Sequence, residues 1–273
     1  MSVILAGVTC LPVLLPAAQF GEASSVVSLD YCADQYVLKL LPRDRILALS
    51  PDSNREFSYL SEKAHGYPQV KPIAEDIITL QPDLVVRTYG GGPNITHFFD
   101  RLGVPVLQIG YADSVESIQE VIQTVADELG VAQRGQNIVH EMNARMAALP
   151  DIEDRQNVLY VTPGGVTGGA GTLVDSMIGK AGFDNYQTHT GWRSLPLEAL
   201  VYRQPEMVAT AFYGDKINHS NFWSAARHPV LRGQLGGTQS VALSGATTTC
   251  GGWFIVDAIE KLAAAREATE FSR

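Results

Sequence analysis

The sequence predicts an α/β protein built from two sets of parallel strands. Three observations point to it: strands separated by helices at both ends of the chain, a long helical stretch between them, and a segment that occurs twice. Short apolar runs separated by helical patterns imply βαβ units and parallel sheets. The 273 residues are 45% hydrophobic and 18% charged, a globular composition, and chains of this length tend to divide their core between two lobes.

In order along the chain, Val26–Leu29 reads as a buried strand and Ala33–Leu41 as a helix stopped by Pro42. Arg45–Leu49 is a second strand, followed by the turn-rich stretch from Ser50 to Asn54. Leu84–Val86 is a strand that runs into Tyr89-Gly90-Gly91-Gly92-Pro93; a helix from Asn94 to Leu102 and a strand at Val106–Ile109 follow. From Ser114 the period changes. Val115, Ile118, Val121, Ile122, Val125 and Leu129 recur every three or four residues, the apolar stripe of an amphipathic helix ending near Gly130. Val131–Leu149 reads as one helix of about 28 Å, stopped by Pro150. The alternation then restarts with strands at Val158–Val161, Met207–Ala209 and Val241–Leu243, a helix near Leu173–Ile178 and a last helix from Trp253 to Ala265.

The duplicated segment needs no gaps. Glu75-Asp76-Ile77-Ile78-Thr79-Leu80-Gln81-Pro82-Asp83-Leu84-Val85-Val86 lies over Glu198-Ala199-Leu200-Val201-Tyr202-Arg203-Gln204-Pro205-Glu206-Met207-Val208-Ala209 with four identities, and four further pairs match in kind. Each copy is a short helix ended by a proline, which disfavours helix in the residue before it, and then a buried strand. Both strands lead to an aromatic-glycine step, Tyr89-Gly90 and Tyr213-Gly214. Ligands of open α/β sheets lie beyond the carboxyl ends of the strands, so the two steps should face one cleft.

The first 23 residues read as a secretory signal: Val3–Ala18 is almost wholly apolar, and Gly21-Glu22-Ala23 offers small residues for cleavage. No Lys or Arg precedes the apolar run. Only Cys32 and Cys250 then remain, and in an exported protein such a pair suggests a disulfide. Free thiols lining a pocket stay open as the other reading. A net charge of −9 without basic clusters argues against nucleic acid as a partner. No HExxH, GxSxG or P-loop pattern occurs, and the histidines show no i,i+4 pairing, so neither an enzyme nor a metal site is expected, and no cofactor. A Cys32 nucleophile at a strand-to-helix turn is the rival, enzymatic reading, and direct binding of a metal ion is the other alternative. The run Pro163–Thr172, rich in glycine, reads as a flexible turn before a helix rather than a dinucleotide loop.

Val26-Val27-Ser28-Leu29-Asp30-Tyr31-Cys32-Ala33-Asp34-Gln35, Leu80–Val86, Leu102-Gly103-Val104-Pro105-Val106 and the central helix together resemble the class III, helical-backbone periplasmic binding proteins of ABC importers, which deliver cobalamin, ferric siderophores, haem or metal ions. The resemblance covers roughly residues 26–262. It implies two Rossmann-like lobes joined by one long rigid helix, with an N-terminal lobe at 24–129, the connecting helix at 130–150 and a C-terminal lobe at 151–273. It also implies a periplasmic monomer that binds a metal chelate and meets an ABC permease and ATPase complex. Glu75 and Glu198 fall where the family's cobalamin and siderophore members carry permease-docking glutamates. Tyr31, Cys32, Arg87, Tyr89, Trp192, Arg193, Tyr213 and Trp253 are the expected ligand contacts, with Asp30, Thr88, Phe212 and Trp223 as further candidates. Trp192 falls six residues before Glu198, where the cobalamin binder has a pocket tryptophan. The cysteine pair departs from that relative.

Overall fold

The computed structural model describes residues 19–211, 229, 233 and 237–270. It contains two parallel four-stranded sheets. The first comprises β1 (Val26–Ser28), β2 (Ile46–Ala48), β3 (Leu84–Arg87) and β4 (Val106–Gln108) in the order β2-β1-β3-β4. The second comprises β5 (Asn157–Val161), β7 (Asp184–Asn185), β9 (Met207–Ala211) and β10 (Gln239–Leu243) in the order β10-β9-β5-β7. Read from the other edge, this is the same order: β1 corresponds to β5, β3 to β9 and β4 to β10. β1, β3 and β9 are buried throughout, as expected of parallel strands covered on both faces.

The helices of the first half are α1 (Tyr31–Leu40), α2 (Ser61–Ala64), α3 (Ala74–Ile78) and α4 (Ile95–Arg101). Two longer ones follow, α5 (Val115–Glu128) and α6 (Ala132–Ala147), and the second half adds α7 (Leu173–Lys180), α8 (Leu197–Tyr202), α9 (Gly245–Thr248) and α10 (Ile255–Glu270). α5 begins at a capping box in which Ser114 and Ser117 satisfy each other's backbone donors. It ends at Gly130, whose φ of 71° is the left-handed conformation that glycine adopts without penalty.

The connecting helix α6 has 16 residues, about 24 Å, and turns back along α5. A Cβ on Gly135 would stand 2.6 Å from the Cβ of Ala126, so this glycine inside a helix is what lets α5 and α6 approach. Ile138 and Met142 are the buried face of α6. Arg145, near its end, pairs with Asp257 at 2.7 Å and Glu260 at 2.5 Å on α10. The apolar core is continuous from one half to the other: Tyr36, Leu38 and Val86 belong to the same cluster as Tyr160, Met207, Phe254 and Leu262.

The two copies of the duplicated segment have the same place in their lobes. α3 and β3 carry the first, α8 and β9 the second. In each, the acid before the strand latches the neighbouring strand. Asp83 Oδ2 accepts from the N–H and hydroxyl of Ser24 and from Ser25 N–H, just ahead of β1. Glu206 Oε2 accepts from the backbone and side-chain N–H of Asn157, which opens β5. Just upstream of β1, Phe20 N–H donates to Glu128 and Arg45 donates to the carbonyls of Phe20 and Ala23. A cut after residue 23 would remove these bonds.

The glycine-rich run is more ordered than a flexible turn. Val166–Gly168 forms β6, paired antiparallel with β8 (Trp192–Ser194). A Cβ on Gly169 would sit 1.9 Å from the carbonyl of His189, so the glycines here allow backbone-to-backbone contact between the ribbon's two arms.

Candidate functional site

A cavity of about 490 Å³ opens between the carboxyl ends of the two sheets. The first sheet contributes Tyr31 and Cys32 after β1, Thr88 and Tyr89 after β3, and Gln108 to Ala112 at and beyond the end of β4. From the second half come Leu173, Val174 and Met177 on α7, Trp192 on β8, and Thr248 to Gly251 with Ile255 ahead of and on α10. Among the described residues the lining holds four aromatic side chains and no charged one. Such a wall suits a guest with a broad apolar or flat face, oriented by a few neutral polar groups.

The aromatic wall of the first lobe is a packed series. The ring of Tyr31 meets Phe57 edge-on at 4.9 Å and Tyr89 at 6.0 Å. Burial pushes both phenols above their ordinary pKa, and the neighbouring Asp30 charge adds to this. Both stay neutral near pH 7. Asp30 caps α1 by accepting from Ala33 N–H at 2.9 Å, and its other oxygen accepts from the backbone N–H groups of Thr88, Tyr89 and Gly90 at 2.8, 3.0 and 2.9 Å. The hydroxyl of Thr88 also bonds it. Opposite, Trp192 is half exposed and its ring lies 6.4 Å from that of the buried Tyr160.

Cys32 and Cys250 are joined by a disulfide with Cα atoms 5.6 Å apart, and both line the cavity. It ties the start of α1 to the loop before α10, so it links the two lobes at the cavity wall. A Cys32 thiolate nucleophile is not on offer in this bonded state, which corrects the enzymatic reading at its one named residue. Nearby, Tyr36 donates to the carbonyl of Gly251 at 2.9 Å and Tyr59 to Asp257 at 2.6 Å.

Tyr31, Cys32, Tyr89 and Trp192 stand in the cavity wall; three other expected contacts stand elsewhere. Arg87 is buried, with its guanidinium turned into its own loop, donating to the carbonyls of Gly92 and Tyr89 and to Thr96. It fixes the chain after β3, while its buried Nε has no hydrogen-bond partner. Trp253 is 7% exposed and packs edge-on to Tyr36, Tyr59 and Phe254, a core residue under Lys39. Arg193 is exposed and donates to Thr190; successive strand residues face opposite sides, so Trp192 takes the cavity and Arg193 does not. Tyr213, Phe212 and Trp223 lie outside the described residues. Glu75 and Glu198 are exposed on α3 and α8. No cluster of three or more His, Cys, Asp or Glu gathers to hold a metal among the described residues.

Sequence reasoning missed Gln108, Tyr111, the apolar face of α7 and Thr248–Thr249. The first two follow β4, and the strand-end rule that found Tyr89 would have found them. α7 carried a fainter signal: the sequence marks a helix here, but not that Leu173, Val174 and Met177 give it an apolar face toward the cavity.

Solved structures of similar fold include the periplasmic heme-binding protein RhuT from Roseiflexus sp. RS-1, 23% identical, with 89% of this chain and 99% of that one covered at a TM-score of 0.68. The periplasmic vitamin B12-binding protein BtuF of Vibrio cholerae is 17% identical, covering 91% and 98%, TM-score 0.64. A structure described as an ABC-type Fe3+-hydroxamate transport system from Saccharomonospora viridis is 18% identical, covering 90% and 94%, TM-score 0.68. No curated protein sequence matches the chain. The sequence profile of the periplasmic binding proteins matches residues 26–214, and with two like-ordered parallel sheets around a shared cavity, the chain belongs to the periplasmic binding protein family.

Proposed function

We propose that the protein captures a metal chelate, a corrinoid or a ferric siderophore, in the inter-lobe cavity and delivers it to an ABC permease and its ATPase. The observation that carries this reading is the cavity wall: Tyr31, Tyr89, Tyr111 and Trp192 with neutral Gln and Thr groups between them. A bare metal ion needs several nitrogen, sulfur or oxygen ligands of the charged or imidazole kind, and this wall offers rings, methyl groups and neutral amide and hydroxyl groups instead. A chelate hides its ion inside an organic shell and presents that shell to the protein. The structurally similar proteins described as binding vitamin B12 and heme, or transporting Fe3+-hydroxamate, point the same way.

Export to the periplasm belongs to this reading, with the apolar segment before Gly21 as the signal. So does docking through Glu75 and Glu198, exposed at equivalent places of the duplicated segment. Two well-separated carboxylates facing arginines fix an orientation as well as contributing binding.

The direct test is to purify the protein, record the absorbance of whatever accompanies it, and titrate it with cyanocobalamin, ferrioxamine B and hemin while following tryptophan fluorescence. Saturable binding of one of the first two is expected. Binding of hemin alone would move the ligand to the porphyrins, and binding of none would overturn the chelate class. Reversing both Glu75 and Glu198 to Arg should abolish uptake in cells and leave the affinity for the ligand unchanged; a loss of affinity would count against docking.

A further inference from the structure

We infer that Asp30 sets the ligand affinity of the cavity without reaching the ligand, as the positioning residue for Tyr31 and Tyr89. The inference rests on the cavity being the binding site proposed above. Asp30 is 4% exposed and is not part of the cavity wall. Its carboxylate nevertheless joins two of the stretches of chain that carry the first lobe's aromatic surface, those of Tyr31 and Tyr89.

One oxygen holds the first turn of α1 through Ala33 N–H, and Tyr31 and Cys32 are in that turn. The other holds three consecutive backbone N–H groups of the chain after β3, from Thr88 to Gly90. With the Thr88 hydroxyl there are five donors on one carboxylate, which has about four lone-pair sites. Hydrogen bonds to an ionised acceptor are roughly twice as strong as neutral ones. The approach is close enough that a Cβ on Gly90 would stand 2.4 Å from the carbonyl oxygen of Leu29, so only glycine allows the loop to lie this tightly on the end of β1. The result is a fixed spacing between the rings of Tyr31 and Tyr89, 6.0 Å centre to centre.

The charge matters, not the shape alone. An amide at this position would turn an NH₂ toward three N–H donors, or give up the helix cap. A serine would keep a cap oxygen for α1, since Ser is a good N-cap, but would be too short to hold the loop.

The test uses the full-length protein and whichever of cyanocobalamin, ferrioxamine B or hemin the wild type binds. Asp30→Ser should raise Kd at least tenfold while thermal unfolding stays cooperative. In a Tyr89→Leu background the same change should alter Kd less than twofold, because its effect passes through that ring. An unchanged Kd, or the same tenfold loss in both backgrounds, overturns the inference. Hydrogen exchange supplies a readout without ligand: the amides of Thr88, Tyr89 and Gly90 should exchange at least tenfold faster in Asp30→Ser, with β1 and β3 still protected. Unchanged protection overturns the inference even if no probe binds, a result that would by itself sink only the chelate class. Should Asp30→Ser fail to fold, Asp30→Asn keeps the side chain's size and removes its charge without touching the cavity wall; a two- to fivefold loss of affinity is expected, and no loss overturns it.

Discussion

In the first lobe Asp83 reaches from the head of β3 to Ser24 and Ser25; in the second, Glu206 reaches from the head of β9 to Asn157. The place and the task are shared, and the chemistry differs by one methylene and by the partner. The helices before them also end differently. Past α3 the chain takes Gln81 through φ 51°, whereas α8 ends in an extended Arg203. Thus the duplication preserves the latch and the buried strand, while the turn between helix and proline is free to vary. The cavity walls differ more. On the first lobe the wall is locked by a buried carboxylate with five donors; on the second, Trp192 stands half exposed on a two-stranded ribbon.

The largest expected effect comes from the bond between the lobes. The Cys32–Cys250 disulfide closes a loop with a sequence separation of 218, and losing a constraint of this kind costs about 2–5 kcal/mol. Cys32→Ser combined with Cys250→Ser should lower stability by that amount in chemical denaturation. Unfolding should remain one transition, because the lobes share one apolar cluster. Two separate transitions would break the comparison, by showing lobes that fold independently once unlinked.

Of comparable size are the effects at the matched core positions. Leu84 and Met207 occupy the same place in the two copies, and neither has any exposed surface. Changing either to Ala should cost about 2–5 kcal/mol, measured by denaturant titration. Costs that agree within about 1 kcal/mol would mean that the two sheets are equally well packed at this point; a clear inequality would show which lobe is the softer.

These pairs were legible in the sequence for a physical reason: a buried parallel strand needs an unbroken apolar run, and proline marks where each one starts. The order of elements and the long helices were legible in the same way, from spacing alone. The side-chain destinations were not. Arg87 and Trp253 both sit beside strand ends or helix starts, as Tyr89 and Cys32 do, and nothing local says that a guanidinium will fold back onto its own loop or that an indole will be covered by Tyr36 and Tyr59. For Trp253 the outcome depends on rings contributed by the other lobe, Tyr36 and Tyr59; for Arg87 it depends on how the loop after β3 closes around Gly92 and Thr96. The β6–β8 ribbon was hidden for another reason: its glycines look like flexibility, yet they are there for the close approach of Gly169 to His189.

A buried acid in the first lobe gives a pH-dependent test. Asp34 has no exposed surface and accepts from Ser50 N–H at 3.1 Å and from the Ser50 hydroxyl at 2.5 Å. Burial pushes its pKa up to about 7, against the lowering effect of the bonds from Ser50 and Ser28. The unfolded chain releases this proton near the ordinary value of about 3.9, so between roughly pH 4 and 7 the folded state binds more protons. Stability therefore falls as pH rises through this window, by at most about 1.4 kcal/mol per pH unit, and levels off above it. Asp34→Asn should remove that slope. Denaturation curves at pH 4.5, 6 and 7.5 that run parallel for the variant and the wild type would contradict it.

The smallest effect is at the latches, and it has the opposite sign with pH. Bonds from Ser24 and Ser25 hold the Asp83 carboxyl below its ordinary range. A depressed folded pKa adds stability above the unfolded value, and that contribution is lost as pH falls through the folded one. Asp83→Asn should therefore lower Tm slightly near neutrality, by about 1–2 °C for a surface site, and the difference should vanish in strong acid, where both chains carry an uncharged side chain. Glu206→Gln should lower Tm in the same direction at pH 7, since an amide accepts less strongly from Asn157. If only one of the two variants shifts, the duplicated acids share a position and not a function, and the strand order would have to be held in the other lobe by its buried side chains alone.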